Sequence, residues 1–330
     1  MILSRIPRIR LGDFPTPISR LNKLSQQLDE ISIFIKRDDM PFVSLGGNKI
    51  RKLEFLMADV IDKGANVIVT TGGTQSNWAQ LTAVVASTYG IDSILLLEGT
   101  PDAELQGNYL IDKIVGAEVR WITENAYSGI DKVLEDVADE LRSKGKKPYV
   151  ISIGGSTPLG DIGYVLCGLE IVQQAVEMGV DFDHVVITTG SGGTTAGLVL
   201  GLKMFNPATR VTGFSIARSK EELVPLIVNI ANESAELIET NVRVNEDDFD
   251  IVDEYIGNGY ASKTKESIEA IKLLLRTEGI LLDPIYTGKT FAGLLAEAKK
   301  GRFGKNSNVL FVHTGGYGGV FGFSKYFAEL

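Results

Sequence analysis

The sequence predicts an α/β protein of two lobes, each a largely parallel, twisted sheet with helices on both faces. Its 330 residues are long for one hydrophobic core. From about residue 32 short β-branched runs alternate with amphipathic helical runs, and several of the short runs are apolar throughout. Strands of that kind are expected where helices cover both faces of a parallel sheet.

In chain order the strand readings are Ile33–Lys36, Val67–Thr70, Ser93–Leu97, Glu118–Ile122, Tyr149–Ile153, Val185–Thr188, Val211–Phe214 and Val309–Val312. Between them, Ile50, Leu53, Leu56/Met57 and Val60/Ile61 recur at helical steps and stop near Gly64. Val133, Val137 and Leu141 do the same before Gly145, and a helical run extends from Tyr164 to Met178. Two segments echo each other, NVIVTTGGTQSNWAQLTA (66–83) and HVVITTGSGGTTAGLVLG (184–201). Each reads as a buried strand, a glycine-rich turn with hydroxyls, then a helix start, so each lobe presents a polar turn to a cleft.

The net charge of −9 argues against a nucleic-acid or anionic-membrane surface. No apolar run approaches the length of a membrane span, and arginine and proline interrupt the N-terminal segment, so no signal peptide is read there. The expectation is a cytoplasmic, soluble enzyme. Cys167 is the only cysteine, expected as core packing, and with His184 and His313 the only histidines no metal centre is expected.

Three segments carry candidate chemistry. In TTGSGGTTAG, glycines allow close backbone approach, while amides at the helix start and the hydroxyls of Ser191, Thr194 and Thr195 suit an anion. The same loop also reads as a tight strand-to-helix connection. A dinucleotide site is disfavoured, because glycines 190, 192, 193 and 197 miss the G-x-G-x-x-G spacing and no acid follows the next strand. In LGGNKIRKLEFL, Lys49 and Lys52 share one face at a helix mouth, where the dipole disfavours cations. They read either as solvated lysines or as an activated amine beside a phosphate partner. In GGTQSN, Ser76 and Asn77 read as N-caps or as ligands for a carboxylate.

Taken together these segments resemble the fold-type II pyridoxal-phosphate enzymes (tryptophan synthase β-like). Within them the chain resembles the D-cysteine desulfhydrase / 1-aminocyclopropane-1-carboxylate (ACC) deaminase family. The similarity runs through FPTPISRLNKLS, IFIKRDD, GGNKIRKLEFL, TGGTQSN, GGSTPLGDIGYV, TTGSGGTTAG, GNGY, EGILLDPIYTGKT and HTGG.

The resemblance implies pyridoxal 5'-phosphate as cofactor, Lys49 as its Schiff-base lysine and Lys52 on its phosphate. It implies Ser191, Gly192, Gly193 and Thr194 as the phosphate cup, and Asn77 on the ring hydroxyl. Ser76 matches a serine at the substrate carboxylate that also takes part in proton transfer, and Tyr260 and Tyr286 match tyrosines on the substrate side. Thr287 matches the position facing the pyridine nitrogen, where ACC deaminases place a glutamate. Thr314 is likewise the desulfhydrase-like residue. Two departures are expected beside the substrate: Trp78, where the family has His or Gln, and Tyr317, followed by two glycines.

These features imply a lyase that eliminates the β-substituent of a small amino acid, with D-cysteine first. Cysteate, β-chloroalanine and ACC are the alternatives, with a catalytically silent amino-acid-binding protein as the rival class. The expected lobes are 1–48 with 161–330, and an inserted 49–160. A homodimer is implied by the resemblance.

Overall fold

In a computed structural model, residues 2–28, 31–40, 43–123 and 129–328 are described. The larger sheet begins with β1 (Ile18–Arg20) and β2 (Ile31–Lys36). The chain then builds a smaller sheet from β3 (Val67–Gly73), β4 (Asp92–Glu98), β5 (Glu118–Ile122) and β6 (Pro148–Val150). It returns to the larger one with β7 (His184–Thr189), β8 (Arg210–Ser215), β9 (Phe249–Val252) and β10 (Ser307–Val312). The strand orders are β1-β2-β10-β7-β8-β9 and β5-β4-β3-β6, parallel throughout except for β1 against β2. This is the expected α/β architecture, with the apolar runs of β2, β7 and β10 at the centre of the larger sheet.

Three local readings change. The strand expected at Tyr149–Ile153 ends at Val150, because Gly154 and Gly155 adopt φ of +69° and +59° and turn the chain through a short 3-10 segment, Ile153–Gly155. The helix read from Tyr164 starts at Pro158, where the Thr157 side chain caps the Gly160 amide at 3.2 Å. β1 and β9 have no counterpart among the sequence readings; both are short edge strands, too brief for a periodic signal.

The Pro158–Met178 helix is the shared wall of the two halves, and the expected boundary at 160/161 falls inside it. It packs against the Gly193–Phe205 helix with backbones nearly touching. A Cβ on Gly197 would lie 2.2 Å from the Asp161 carbonyl oxygen, and one on Gly201 would lie 2.5 Å from that of Val165. Cys167 is buried in this core, and burial pushes its thiol well above the ordinary range.

On its other side this helix meets the Lys49–Asp62 helix through buried charge. Arg51 reaches Asp38 at 2.7 Å and Glu170 at 2.9 Å, Lys36 reaches Glu170 at 2.6 Å, and the Tyr164 hydroxyl donates to Asp38 at 2.6 Å. Burial pushes the Asp38 carboxyl up, but Arg51 and Lys36 outweigh it and hold Asp38 far below the usual carboxylate range. Removing one member of such a cluster strands the others. Arg51→Met is therefore expected to lose about 3–5 kcal/mol of stability, read as a lower urea midpoint with an unchanged slope.

Candidate active site

The turns after β3 and β7 face one cavity of about 530 Å³. Gly72, Gly73, Ser76, Asn77, Trp78 and Glu98 line it from the smaller sheet. Thr188 to Gly192, Thr194, Thr195, Ile216 to Arg218, Tyr260, Tyr286 and Thr314 line it from the larger one, with Asn48, Lys49, Ile153 and Gly154 between. The two echoing segments thus meet at one site.

Lys49 is the first residue of its helix, and Asn48 holds that end in place. The Asn48 amide N–H donates to the Thr314 carbonyl at 3.1 Å, and its Nδ2 donates to Thr194 Oγ1 at 3.0 Å. The Lys49 amine faces the cavity with no hydrogen-bond partner among the described residues. Burial lowers its pKa, the charge on Lys52 lowers it further, and Asp161 recovers part, leaving it at about 7. A lysine so placed is substantially an uncharged, nucleophilic amine at neutral pH.

Gly192, at φ +88°, bends the chain into the Gly193–Phe205 helix and leaves first-turn amides pointing outward. Ser191 Oγ lies 2.7 Å from Ser156 Oγ, which accepts from the Gly193 amide at 3.3 Å. Lys52 and Gly193, both expected in the cup, do not line the cavity. Wholly buried, the Lys52 ammonium is 2.8 Å from Asp161 and 3.4 Å from Ser156 Oγ, just beneath the loop.

On the opposite wall, Ser76 caps its helix by accepting from the Ala79 amide at 3.2 Å, so its hydroxyl proton remains available. Asn108 sets the orientation of Asn77. Asn108 Nδ2 donates to the Gln75 carbonyl at 2.9 Å, an atom that only accepts, and therefore also donates to Asn77 Oδ1 at 3.0 Å. Asn77 is left presenting its NH2 group. Gly318 makes room for Asn108, because a Cβ there would lie 1.9 Å from Asn108 Oδ1.

The Tyr260 and Tyr286 hydroxyls are 2.5 Å apart at the cavity. The Tyr260 ring is partly open to solvent, while burial of its hydroxyl pushes it up to about 12. Thr287 does not line the cavity; its hydroxyl donates to Asp283 at 2.7 Å, and Asp283 also accepts the amides of Ile285, Tyr286 and Thr287 at 2.8 Å. Thr314 lines the cavity.

Of the two departures from the family pattern, one lines the cavity and the other does not. Trp78 lines the cavity but is 2% exposed, with its N–H on Thr70 Oγ1 at 2.7 Å, so it acts as packed wall. Tyr317 corrects the expectation of a substrate contact: its hydroxyl donates to Asp39 at 2.5 Å and its ring packs edge-on against buried His313, away from the cavity. Sequence reasoning missed Asn108, Ser156, Asp161, Asp283, Glu98 and Arg218. Of these Asp161 alone carried a local signal, an acid in an otherwise apolar helix start.

The family described as Pyridoxal-phosphate dependent enzyme matches residues 9–315. The chain belongs to this family. Among its members, a Pyrococcus furiosus protein provisionally named 1-aminocyclopropane-1-carboxylate deaminase is 42% identical over 97% of this chain and 95% of its own length. The D-cysteine desulfhydrase of Klebsiella pneumoniae is 39% identical, over 97% of each chain. A solved ACC deaminase homologue superimposes with a TM-score of 0.91 at 41% identity, over 98% of this chain and 96% of that one. O-ureido-L-serine synthase, at 19% identity and a TM-score of 0.67, shares the fold alone.

The two-lobed fold-type II architecture and the pyridoxal-phosphate cofactor follow from that membership. The residues present suit the cofactor: an amine without a hydrogen-bond partner among the described residues for its aldehyde, and a glycine-rich helix start with the hydroxyls of Ser191 and Thr194 for its phosphate. Because Lys52 depresses Lys49, Lys52→Met is expected to raise the pH at which Lys49 of the cofactor-free enzyme half-reacts with an amine reagent. Competitive labelling read by peptide mass spectrometry measures this, with the wild-type midpoint near about 7.

Proposed function

We propose that this enzyme removes the β-substituent of a small amino acid, with D-cysteine as substrate and pyruvate, ammonia and hydrogen sulfide as products. The observation that carries the reading is Thr287. Residue 287, matched by the family to the cofactor's ring nitrogen, is a threonine outside the cavity lining whose hydroxyl is already donated to Asp283, and a threonine has no charge with which to hold that nitrogen protonated. Elimination of a thiolate tolerates the weaker electron withdrawal that follows, whereas opening a cyclopropane without an α-hydrogen does not.

Bound pyridoxal phosphate supplies an aldehyde for imine exchange with amines and a conjugated ring that withdraws electrons from the bonds at Cα. Lys49 holds its aldehyde end, the turn at Ser191 to Thr194 with Lys52 holds its phosphate, and Asn77 offers its NH2 to the ring hydroxyl. Ser76 donates its free proton to the substrate carboxylate. That geometry favours Lys49 over Ser76 as the base for the α-proton, since the Lys49 pKa is lowered to about 7 and no group among the described residues accepts the Ser76 proton. Tyr260, whose hydroxyl burial pushes up to about 12, stays protonated, and its hydrogen-bonded pair with Tyr286 offers an O–H donor to the departing sulfur. The released aminoacrylate takes up water to give pyruvate and ammonia.

The provisional name of the Pyrococcus relative makes ACC the second substrate to try. The purified enzyme with D-cysteine is expected to yield pyruvate and sulfide in equal amounts, and Lys49→Ala to lose its visible absorbance and at least about a hundredfold in turnover. Ammonia and a four-carbon keto acid from ACC, without sulfide from D-cysteine, would replace this reading with the deaminase.

A further inference from the structure

Asp161 is wholly buried, and among the described residues its carboxylate oxygens have no partner besides the Lys52 ammonium. Among the described residues its one close charged partner is the Lys52 ammonium at 2.8 Å, also wholly buried. The carboxylate lies against the start of the Gly193–Phe205 helix: a Cβ on Gly193 would be 2.5 Å from one of its oxygens. Ser156 joins the same cluster, reached by the Lys52 ammonium, the Gly193 amide and Ser191 Oγ. Among the described residues the titratable groups acting on Asp161 are Lys52 and Lys49, both from the Lys49–Asp62 helix, while the loop side presents the Gly193 amide and the hydroxyls of Ser156 and Ser191.

A phosphate held by that loop brings negative charge to the ammonium that Asp161 already holds. Two anions sharing one buried cation repel each other strongly where the dielectric is low. A carboxyl in such a place relieves the conflict by taking a proton. We propose that Asp161 is an internal counter-anion that competes with the cofactor phosphate for Lys52, so that the cofactor is held fully only when Asp161 carries a proton. Burial already favours the neutral carboxyl, with Lys52 and Lys49 opposing it. The sign follows: as pH falls Asp161 protonates, Lys52 turns wholly to the phosphate, and retention improves.

This inference rests on the reading of Lys52 and the loop as the phosphate cup. Its test is equilibrium dialysis of the full-length holoenzyme against graded pyridoxal phosphate at about pH 6 and about pH 8.5, read as retained visible absorbance. Asp161→Asn is expected to hold the cofactor at least about tenfold more tightly than wild type at the higher pH, with the ratio shrinking towards one at the lower. Lys52→Met is expected to weaken retention. If Lys52→Met leaves retention unchanged, the cup reading falls and the counter-anion with it. If Lys52→Met weakens retention but Asp161→Asn gives equal or looser binding at the higher pH, the counter-anion alone is overturned, and Asp161 serves to align Lys52. Asp161→Ser, smaller and neutral, carries the same expectations should the asparagine variant not fold.

Discussion

The buried pairing of Arg51 with Asp38 and Glu170 fixes the helix on which the chemistry depends. Lys49, Arg51 and Lys52 lie within one turn, so locking the guanidinium on one side of the helix determines where both lysines point. Each partner comes from a different element: Asp38 from the loop after β2, Glu170 from the Pro158–Met178 helix. Lys36 and Tyr164 complete the cluster. Because every charge in it is compensated, the helix can sit deep enough for the Lys49 amine to be desolvated, and that burial is the largest cause of its lowered pKa.

The cavity is organised around groups whose hydrogen-bonding capacity has been partly used. Asn77 has its oxygen engaged by Asn108 and keeps its donors, and Ser76 accepts from its own helix and keeps its proton. Thr287 gives its proton to Asp283, whereas the Lys49 amine has no partner among the described residues. Each arrangement removes one chemical option and leaves another. This is why the neighbours behind the wall, Asn108, Asp283 and Ser156, matter as much as the lining residues.

The sequence carried the fold class, because burial on both faces of a parallel sheet demands apolar runs, and residues 185–187 of β7 and 309–312 of β10 are such runs. It also carried the two strand–turn–helix units that face the cavity, since glycine and hydroxyl residues at a strand end are compositionally distinct. It did not carry Asn108, whose surroundings, GNYL, resemble any helix start. Nor did it show that Tyr317 turns away to Asp39, because that partner lies 278 residues earlier in the chain.

The sequence alone therefore determined the architecture, the family and which residue types stand near the site, since periodicity and local motifs are properties of short segments. Only the tertiary structure decided what each of those residues has left to offer. The lowered pKa of Lys49, the donor face of Asn77, the engaged hydroxyl of Thr287 and the buried pairing of Lys52 with Asp161 all arise from burial and from partners distant in sequence. Desolvation and hydrogen-bond saturation act through space, and no local pattern of residues encodes them.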